Sequence, residues 1–109
     1  MNINYLKLAK LEFHDSIKYY EQQEKGLGKK FSNDIQASIN RIKNFPNSYQ
    51  KVSNQIRRCT LHRFPYNILY LFEENTILIV AIAHQHRIPD YWVDRVENFE
   101  VSAFSYFLI

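Results

Sequence analysis

The sequence predicts an α+β fold in which an antiparallel sheet packs against a helical hairpin, with the elements in the order β-α-α-β-β-β. Three observations lead to this prediction. The first half contains two segments whose apolar residues recur at helical spacing, and the only two glycines of the 109-residue chain lie between them. The second half is rich in β-branched and aromatic residues, in runs separated by turn-forming residues.

The first half begins with a candidate strand at residues 2–6 and continues with two amphipathic helices. From Leu8 onward, apolar residues recur at intervals of four, four and three, at Ala9, Phe13, Ile17 and Tyr20. Gly26-Leu27-Gly28 ends this helix, because glycine can adopt the left-handed conformation that closes a helix. The second helix runs from about Leu27 to Lys43. Phe45-Pro46 ends it, since the residue before a proline disfavours the helical conformation.

The second half predicts three strands. Residues 56–61 and 66–72 have strand composition, and His62–Pro65 between them reads as a turn or bulge, because proline cannot donate to a sheet. Glu73-Glu74-Asn75 is predicted to form a hairpin turn. Residues 76–83 are almost continuously apolar, which predicts a central strand that is buried on both faces.

Positive charge is unevenly distributed along the chain. The formal net charge is +3, yet residues 35–72 contain no Asp or Glu. All eight lysines lie at or before Lys51, whereas five of the six arginines lie at or after Arg57, among histidines and aromatic residues. Arginine binds planar anions with two parallel hydrogen bonds and stacks on bases. This surface is therefore expected to contact an anionic partner, such as a nucleic-acid backbone or an acidic protein.

Composition also limits the classes of function. A lone Cys59 rules out an internal disulfide framework and fits a reducing cytoplasm, where we expect the protein to act. The sequence shows neither a signal peptide nor an apolar run of the roughly 18 residues that a membrane span needs. One cysteine and scattered histidines lack the spacing of a zinc site, so we expect no metal and no cofactor.

Several short motifs, in this order and spacing, resemble the RelE/ParE toxin superfamily of bacterial type II toxin–antitoxin systems. They are Tyr19-Tyr20-Glu21, Gly26-Leu27-Gly28 with Phe31, Phe45-Pro46, Ile56-Arg57-Arg58, Arg63-Phe64-Pro65-Tyr66, and His84 with Arg87, Tyr91-Trp92 and Arg95. The resemblance implies a cytoplasmic toxin domain over residues 1–95 that a cognate acidic antitoxin neutralises. RelE-like members cut mRNA on the ribosome without a metal, and ParE-like members poison DNA gyrase without acting as nucleases.

Metal-free RNA cleavage needs a base, an acid and cations that stabilise the phosphorane-like transition state. The residues that could serve as a catalytic set are Arg58, Arg63, His86 and Arg87. Those that could bind nucleic acid are Lys51, Arg57, His84 and Tyr91. Adjacent strand residues point to opposite faces, so Arg57 and Arg58 should not both face one site. Each of these residues also has a purely structural alternative, as a solvated, capping or core side chain.

The Arg, His and Tyr residues favour a ribosome-dependent, metal-independent mRNA endonuclease, which is the function predicted at this level. The absence of a carboxylate from residues 35–72 and the helical hairpin, which resembles that of ParE, favour the alternative of a gyrase poison. A basic binding protein without toxicity is a further alternative. Residues 96–109 form an apolar extension beyond the resemblance. It should be buried on the sheet, in the antitoxin groove or in a homodimer.

Overall fold

The computed structural model describes residues 1–97, which form one mixed sheet covered on one face by two helices. The sheet has five strands in the order β1-β5-β4-β3-β2. The elements along the chain are β1 (Asn2–Tyr5), α1 (Lys7–Gln23), α2 (Leu27–Asn44), β2 (Lys51–Ser53), β3 (Ile56–Thr60), β4 (Tyr66–Glu73), β5 (Thr76–His84) and α3 (Asp94–Glu97). The predicted α+β class, the helical hairpin and the long strands are confirmed.

Two features of the sheet differ from the prediction. The short strand β2 pairs with β3 and adds a fifth strand. Its sequence, Lys-Val-Ser, is too short to show a periodic pattern. In addition, β1 pairs with β5 in a parallel register that joins Asn2 to Thr76 and Tyr5 to Ile79, so the sheet is not wholly antiparallel. The alternation of side chains within one strand carries no information about the direction of its neighbour.

The strand β5 lies between β1 and β4, and residues Thr76–Ala83 are all buried, as the continuous apolar run predicts. It is joined to β4 by a tight turn in which Glu74 (φ 52°) and Asn75 (φ 58°) both have positive φ. Positive φ at two central residues is typical of the hairpin turns that match the twist of a sheet. The predicted turn at Glu73-Glu74-Asn75 is therefore confirmed.

The α1–α2 hairpin depends on Glu21 and on both glycines. Gly26 has a φ of +88° and precedes α2 in the left-handed conformation. The Glu21 carboxylate accepts hydrogen bonds from the backbone N–H groups of Gly26 (3.0 and 3.1 Å) and Gly28 (3.1 Å). Gly28 is buried where the helices cross, and a Cβ atom there would lie 2.7 Å from the Ile17 carbonyl oxygen. The helices therefore approach each other closely at Gly28.

Substituting alanine at each glycine tests the positive φ of Gly26 and the close helix packing at Gly28 separately. Gly28→Ala places a methyl group against backbone that cannot move aside, so we expect a loss of about 1–3 kcal/mol in the free energy of unfolding. Gly26→Ala meets no atom within 4 Å and only strains the backbone at positive φ, at a cost of roughly 1–2 kcal/mol. Urea unfolding measures both. A Gly28→Ala variant as stable as the wild type would contradict the close packing of the helices.

An aromatic cluster connects the helices to the sheet. Phe31 of α2 is fully buried, and its ring lies 5.2 Å from Tyr20 and Phe64, 4.9 Å from Tyr66 and 6.2 Å from Phe13. These rings come from α1, α2, β4 and the turn before β4. Edge-to-face and offset contacts at such separations stabilise a core beyond the area they bury.

The turn between β3 and β4 is held by a buried carboxylate. Asp34 of α2 is 7% exposed, and its Oδ2 atom accepts hydrogen bonds from the backbone N–H groups of Arg63 (2.9 Å) and Phe64 (3.2 Å). The β3–β4 turn also contacts the loop after β5, because the N–H of Gln85 donates a hydrogen bond to the carbonyl of Pro65 (2.8 Å). Two segments that carry candidate site residues are thereby placed side by side at one end of the sheet.

Candidate functional site

A cleft of about 210 Å³ lies between the sheet and the segment that follows β5. Its polar and aromatic lining comes from β3, β4, the end of β5 and the following segment, and comprises Arg58, Asn67, His84, Gln85, Arg87, Tyr91 and Trp92. Leu69 and Ala83 are among its apolar lining residues. Asp90 is the one acidic residue among the lining residues of this cleft in the described part of the chain.

Arg57 and Arg58 have different surroundings, as the strand alternation predicts. The Arg57 guanidinium donates to the backbone carbonyls of Asn47 (3.1 Å) and Tyr49 (2.6 Å), and so fixes the loop that follows α2. Arg58 pairs with Leu69 in the β3–β4 register and lines the cleft with an exposed side chain. Arg57 therefore has a structural contact, while Arg58 is available to a partner.

Arg87 lies against the aromatic ring of Tyr91, with its Cζ atom 4.0 Å from the ring centroid. The Tyr91 hydroxyl donates a hydrogen bond to Glu12 of α1, which also forms an ion pair with Arg95. Burial, and then the interaction with Glu12, raise the pKa of Tyr91 above its ordinary value. Tyr91 is thus a protonated phenol whose ring packs against the Arg87 guanidinium.

The two histidines at the end of β5 contact each other, with ring centroids 5.1 Å apart. The His84 ring also packs edge-on against Tyr66, and its Nδ1 atom accepts a hydrogen bond from the backbone N–H of His86 (3.0 Å). Burial, followed by the nearby His86, lowers the pKa of His84. His84 is therefore favoured in its neutral form, whereas the His86 side chain is exposed and lies outside the cleft lining.

The remaining candidates lie around the cleft. Arg63 is exposed on the turn that Asp34 holds, and Lys51 is exposed at the start of β2, opposite Arg57 in the register. Of the eight residues predicted for the site, four line the cleft, namely Arg58, His84, Arg87 and Tyr91, and four do not, namely Lys51, Arg57, Arg63 and His86.

The structure also shows residues that the sequence did not single out for the site. Glu12 and Asp34 each hold a segment of the site, through contacts to residues about 30 to 80 positions away. Trp92 is 4% exposed and anchors the segment after β5 in the core. Cys59 is fully buried, and burial raises the pKa of its thiol, as expected for a small apolar core residue.

This geometry can be compared with that of known proteins. The family model of the ParE toxin of the type II toxin–antitoxin system parDE matches residues 3–89. The chain belongs to the ParE toxin family. Among solved structures, it is similar to the chromosomal ParDE toxin–antitoxin system from P. aeruginosa, with a TM-score of 0.58 and 16% sequence identity, over 77% of this chain and 95% of that chain. At this identity the second comparison supports the fold. None of the curated proteins matches the sequence.

The match accounts for the resemblance to the RelE/ParE superfamily and covers every element from β1 to β5 except Asn2, the first residue of β1. Tyr91, Trp92 and Arg95, which line or support the cleft of this ParE family member, follow the matched residues. In residues 1–97, no helix is both long and apolar enough to cross a membrane. The predicted apolar extension begins at Val96, and its residues 98–109 lie outside the described part of the chain.

Proposed function

We propose that this ParE family member is the toxin of a type II toxin–antitoxin pair, and that it acts by binding DNA gyrase in the cytoplasm without cleaving nucleic acid. The observation that carries this proposal is the content of the cleft. Two arginines and an aromatic ring supply cationic and stacking contacts, and the His84 and Tyr91 side chains of the lining are hydrogen-bonded within the protein.

The titratable groups support a binding function in particular. The Tyr91 hydroxyl is engaged by Glu12, and its raised pKa keeps it protonated. The lowered pKa of His84 keeps it neutral, and its Nδ1 atom already accepts the backbone N–H of His86. General acid–base catalysis requires groups that are free to exchange a proton with the substrate. These two side chains are engaged with the protein itself.

The lining of the cleft has the character of a protein-binding site. Ile88 follows Arg87 in the loop after β5 and is 77% exposed, the highest exposure of a large apolar side chain among the described residues. Arginine is one of the residue types that contribute most to protein–protein affinity, and burial of an exposed apolar side chain such as Ile88 favours association. We therefore assign Arg58, Arg87 and Ile88 to the surface that contacts the target.

The acid-free part of the chain is the proposed docking surface for a cognate acidic antitoxin. Arg58 is exposed on β3 and lines the cleft, and Lys51 is exposed on the neighbouring strand β2, where its pairing with Arg57 places it on the other face of the sheet. Charges of this kind accelerate association with an acidic partner and make its rate dependent on salt. An antitoxin that overlaps Arg58 would also cover the cleft, which would explain neutralisation by direct occlusion.

A second candidate function is a ribosome-dependent mRNA endonuclease, which the proximity of Arg58, Arg87 and Tyr91 in one cleft favours. In that case Arg58, Arg63 and Arg87 would clamp the phosphate, and His86 would exchange protons with the substrate. Arg57 and Lys51 would contact the backbone, and His84 and Tyr91 would contact a base. Of these groups, His86 is the one whose removal distinguishes chemistry from binding, because its exposed ring lies outside the cleft lining.

Induction of the protein in bacterial cells separates the two functions. A gyrase poison should arrest growth, trigger the SOS response and leave mRNA uncut, and His86→Ala should remain as toxic as the wild type. A nuclease would instead halt translation and produce mRNA cuts at codon positions, and His86→Ala would lose toxicity. Primer extension and an SOS reporter in the same cultures distinguish these outcomes, and normal growth at high levels of folded protein would argue against any toxin.

A further inference from the structure

Glu12 lies where α1, β5 and the segment after β5 meet. Its carboxylate accepts hydrogen bonds from the backbone N–H of Ile82 (3.0 Å) and from the Arg95 guanidinium (2.8 and 2.9 Å). It also accepts the hydroxyl of Tyr91. The side chains of Arg95 and Glu12 are only 12% and 15% exposed. One carboxylate therefore joins α1 to β5 and to the segment after β5, which lie 70 to 83 residues further along the chain.

The position of Glu12 follows from the end of β1. The parallel pairing of β1 with β5 stops at Tyr5 and Ile79, and Leu6 makes one more bond to the Ile79 carbonyl (2.9 Å). Beyond that point the Glu12 carboxylate accepts a hydrogen bond from the N–H of Ile82, and the Arg95 guanidinium donates one to the carbonyl of Val80 (3.1 Å). Buried backbone groups require such partners. Glu12 is thus hydrogen-bonded to the sheet itself, and it attaches the segment after β5 at a fixed position.

A series of contacts connects Glu12 to Arg87, which belongs to the surface proposed to bind the target. Glu12 holds the hydroxyl of Tyr91, and the Tyr91 ring lies 4.0 Å from the Cζ atom of Arg87 and 5.1 Å from that of Arg95. The interaction of a guanidinium with the face of an aromatic ring depends on where that ring is held. We propose that Glu12 is a positioning residue, which holds Tyr91 so that Arg87 is presented to the target.

This proposal rests on the role of Arg87 in the proposed function. It also gives a role to residues that lie outside the family match. Tyr91 and Arg95 follow residues 3–89, whereas Glu12 and Arg87 lie within them. Burial works to lower the pKa of Arg95, but the bonds to Glu12 and Tyr91 outweigh it and raise the pKa above its ordinary value. Arg95 is therefore charged in this arrangement, and Glu12 supplies the negative charge that holds it.

The test compares Glu12→Gln with Glu21→Gln. Glutamine at position 12 has the same shape and can still accept the N–H of Ile82, but it lacks the charge that binds Arg95. Glu21 is a carboxylate on the same helix that accepts hydrogen bonds from the glycines of the hairpin, and it serves as the matched control. NMR of the purified protein reads the position of Arg87, because a ring 4.0 Å away shifts the side-chain Hε resonance upfield.

We expect Glu12→Gln to lose most of the upfield shift of Arg87 Hε and Glu21→Gln to retain it. Tyr91→Phe keeps the ring but removes its bond to Glu12, so it should also reduce the shift, and it decides the question if Glu12→Gln does not fold. Wild-type shifts in the folded variants would overturn the proposal. The NMR measurement does not require the protein to be toxic, so it tests the positioning role of Glu12 independently of the proposed function.

The functional part of the test uses growth arrest on induction. If Glu12 acts through Arg87, Glu12→Gln should reduce toxicity about as much as Arg87→Ala, and the double variant should be no weaker than Arg87→Ala alone. Losses that multiply in the double variant would overturn the proposal, because they would mean that the two residues act separately. A wild-type protein without toxicity would refute the proposed function and leave the NMR result to decide the positioning role.

Discussion

Phe31→Ala is expected to lower the free energy of unfolding by about 3–5 kcal/mol, which is the usual cost of removing a buried phenylalanine. Phe31 is fully buried and contacts rings from α1, the turn before β4 and β4 itself. Its removal leaves a cavity at the point where the helical hairpin meets the sheet. Because small domains are stable by only about 5–15 kcal/mol, a large part of the protein's stability should be lost.

Tyr19→Ala is the control for this substitution. Tyr19 is adjacent in sequence to the cluster residue Tyr20, but it is 55% exposed, so its loss should change stability by less than about 1 kcal/mol. Urea unfolding followed by circular dichroism gives both values. Similar stabilities for Phe31→Ala and Tyr19→Ala would contradict the central place of Phe31 in the core.

Reversing both charges at the cleft, with Arg58→Glu and Arg87→Glu together, should abolish growth arrest. These side chains line one cleft and are exposed, so the change leaves the core unaltered while it opposes binding to any acidic surface. Loss of a close charge pair at an interface typically costs about 2–5 kcal/mol in affinity. We therefore expect the affinity for the target to fall by at least two orders of magnitude, so that cells grow normally even at full induction.

Lys18→Glu together with Lys29→Glu is the matched control, because it makes the same change in net charge on exposed positions of α1 and α2. Neither lysine lines the cleft. This variant should arrest growth as the wild type does. If both double variants lost toxicity equally, net charge alone would account for the effect, and the cleft would have no special role.

Most of the fold could be predicted from the sequence because its signals are local. The periodic apolar residues of α1 and α2 and the continuous run in β5 each lie within one element. The turn at Glu74 and Asn75 is likewise a property of a few adjacent residues. The strand β2 and the parallel pairing of β1 were not predicted, because a three-residue strand has no period and pairing direction depends on residues more than 70 positions away.

The candidate site was only partly predictable for the same reason. Strand alternation separates Arg58 from Arg57, and the structure agrees. Glu12, however, appears in the sequence only as a polar residue on an amphipathic helix. Its role becomes visible once the fold places it beside Arg95, 83 residues further along the chain. Asp34 likewise lies at the border of the acid-free stretch, and only its hydrogen bonds to Arg63 and Phe64 show what it does.

The most direct test of the proposed function uses purified protein with purified gyrase and closed-circular plasmid DNA. We expect the wild-type protein to trap gyrase on DNA, so that denaturing the enzyme yields linear plasmid, while Arg58→Glu with Arg87→Glu yields none. In a parallel reaction, mRNA on programmed ribosomes should remain intact. Intact plasmid together with mRNA cut in the ribosomal A site would contradict gyrase as the target and would identify the protein as a nuclease.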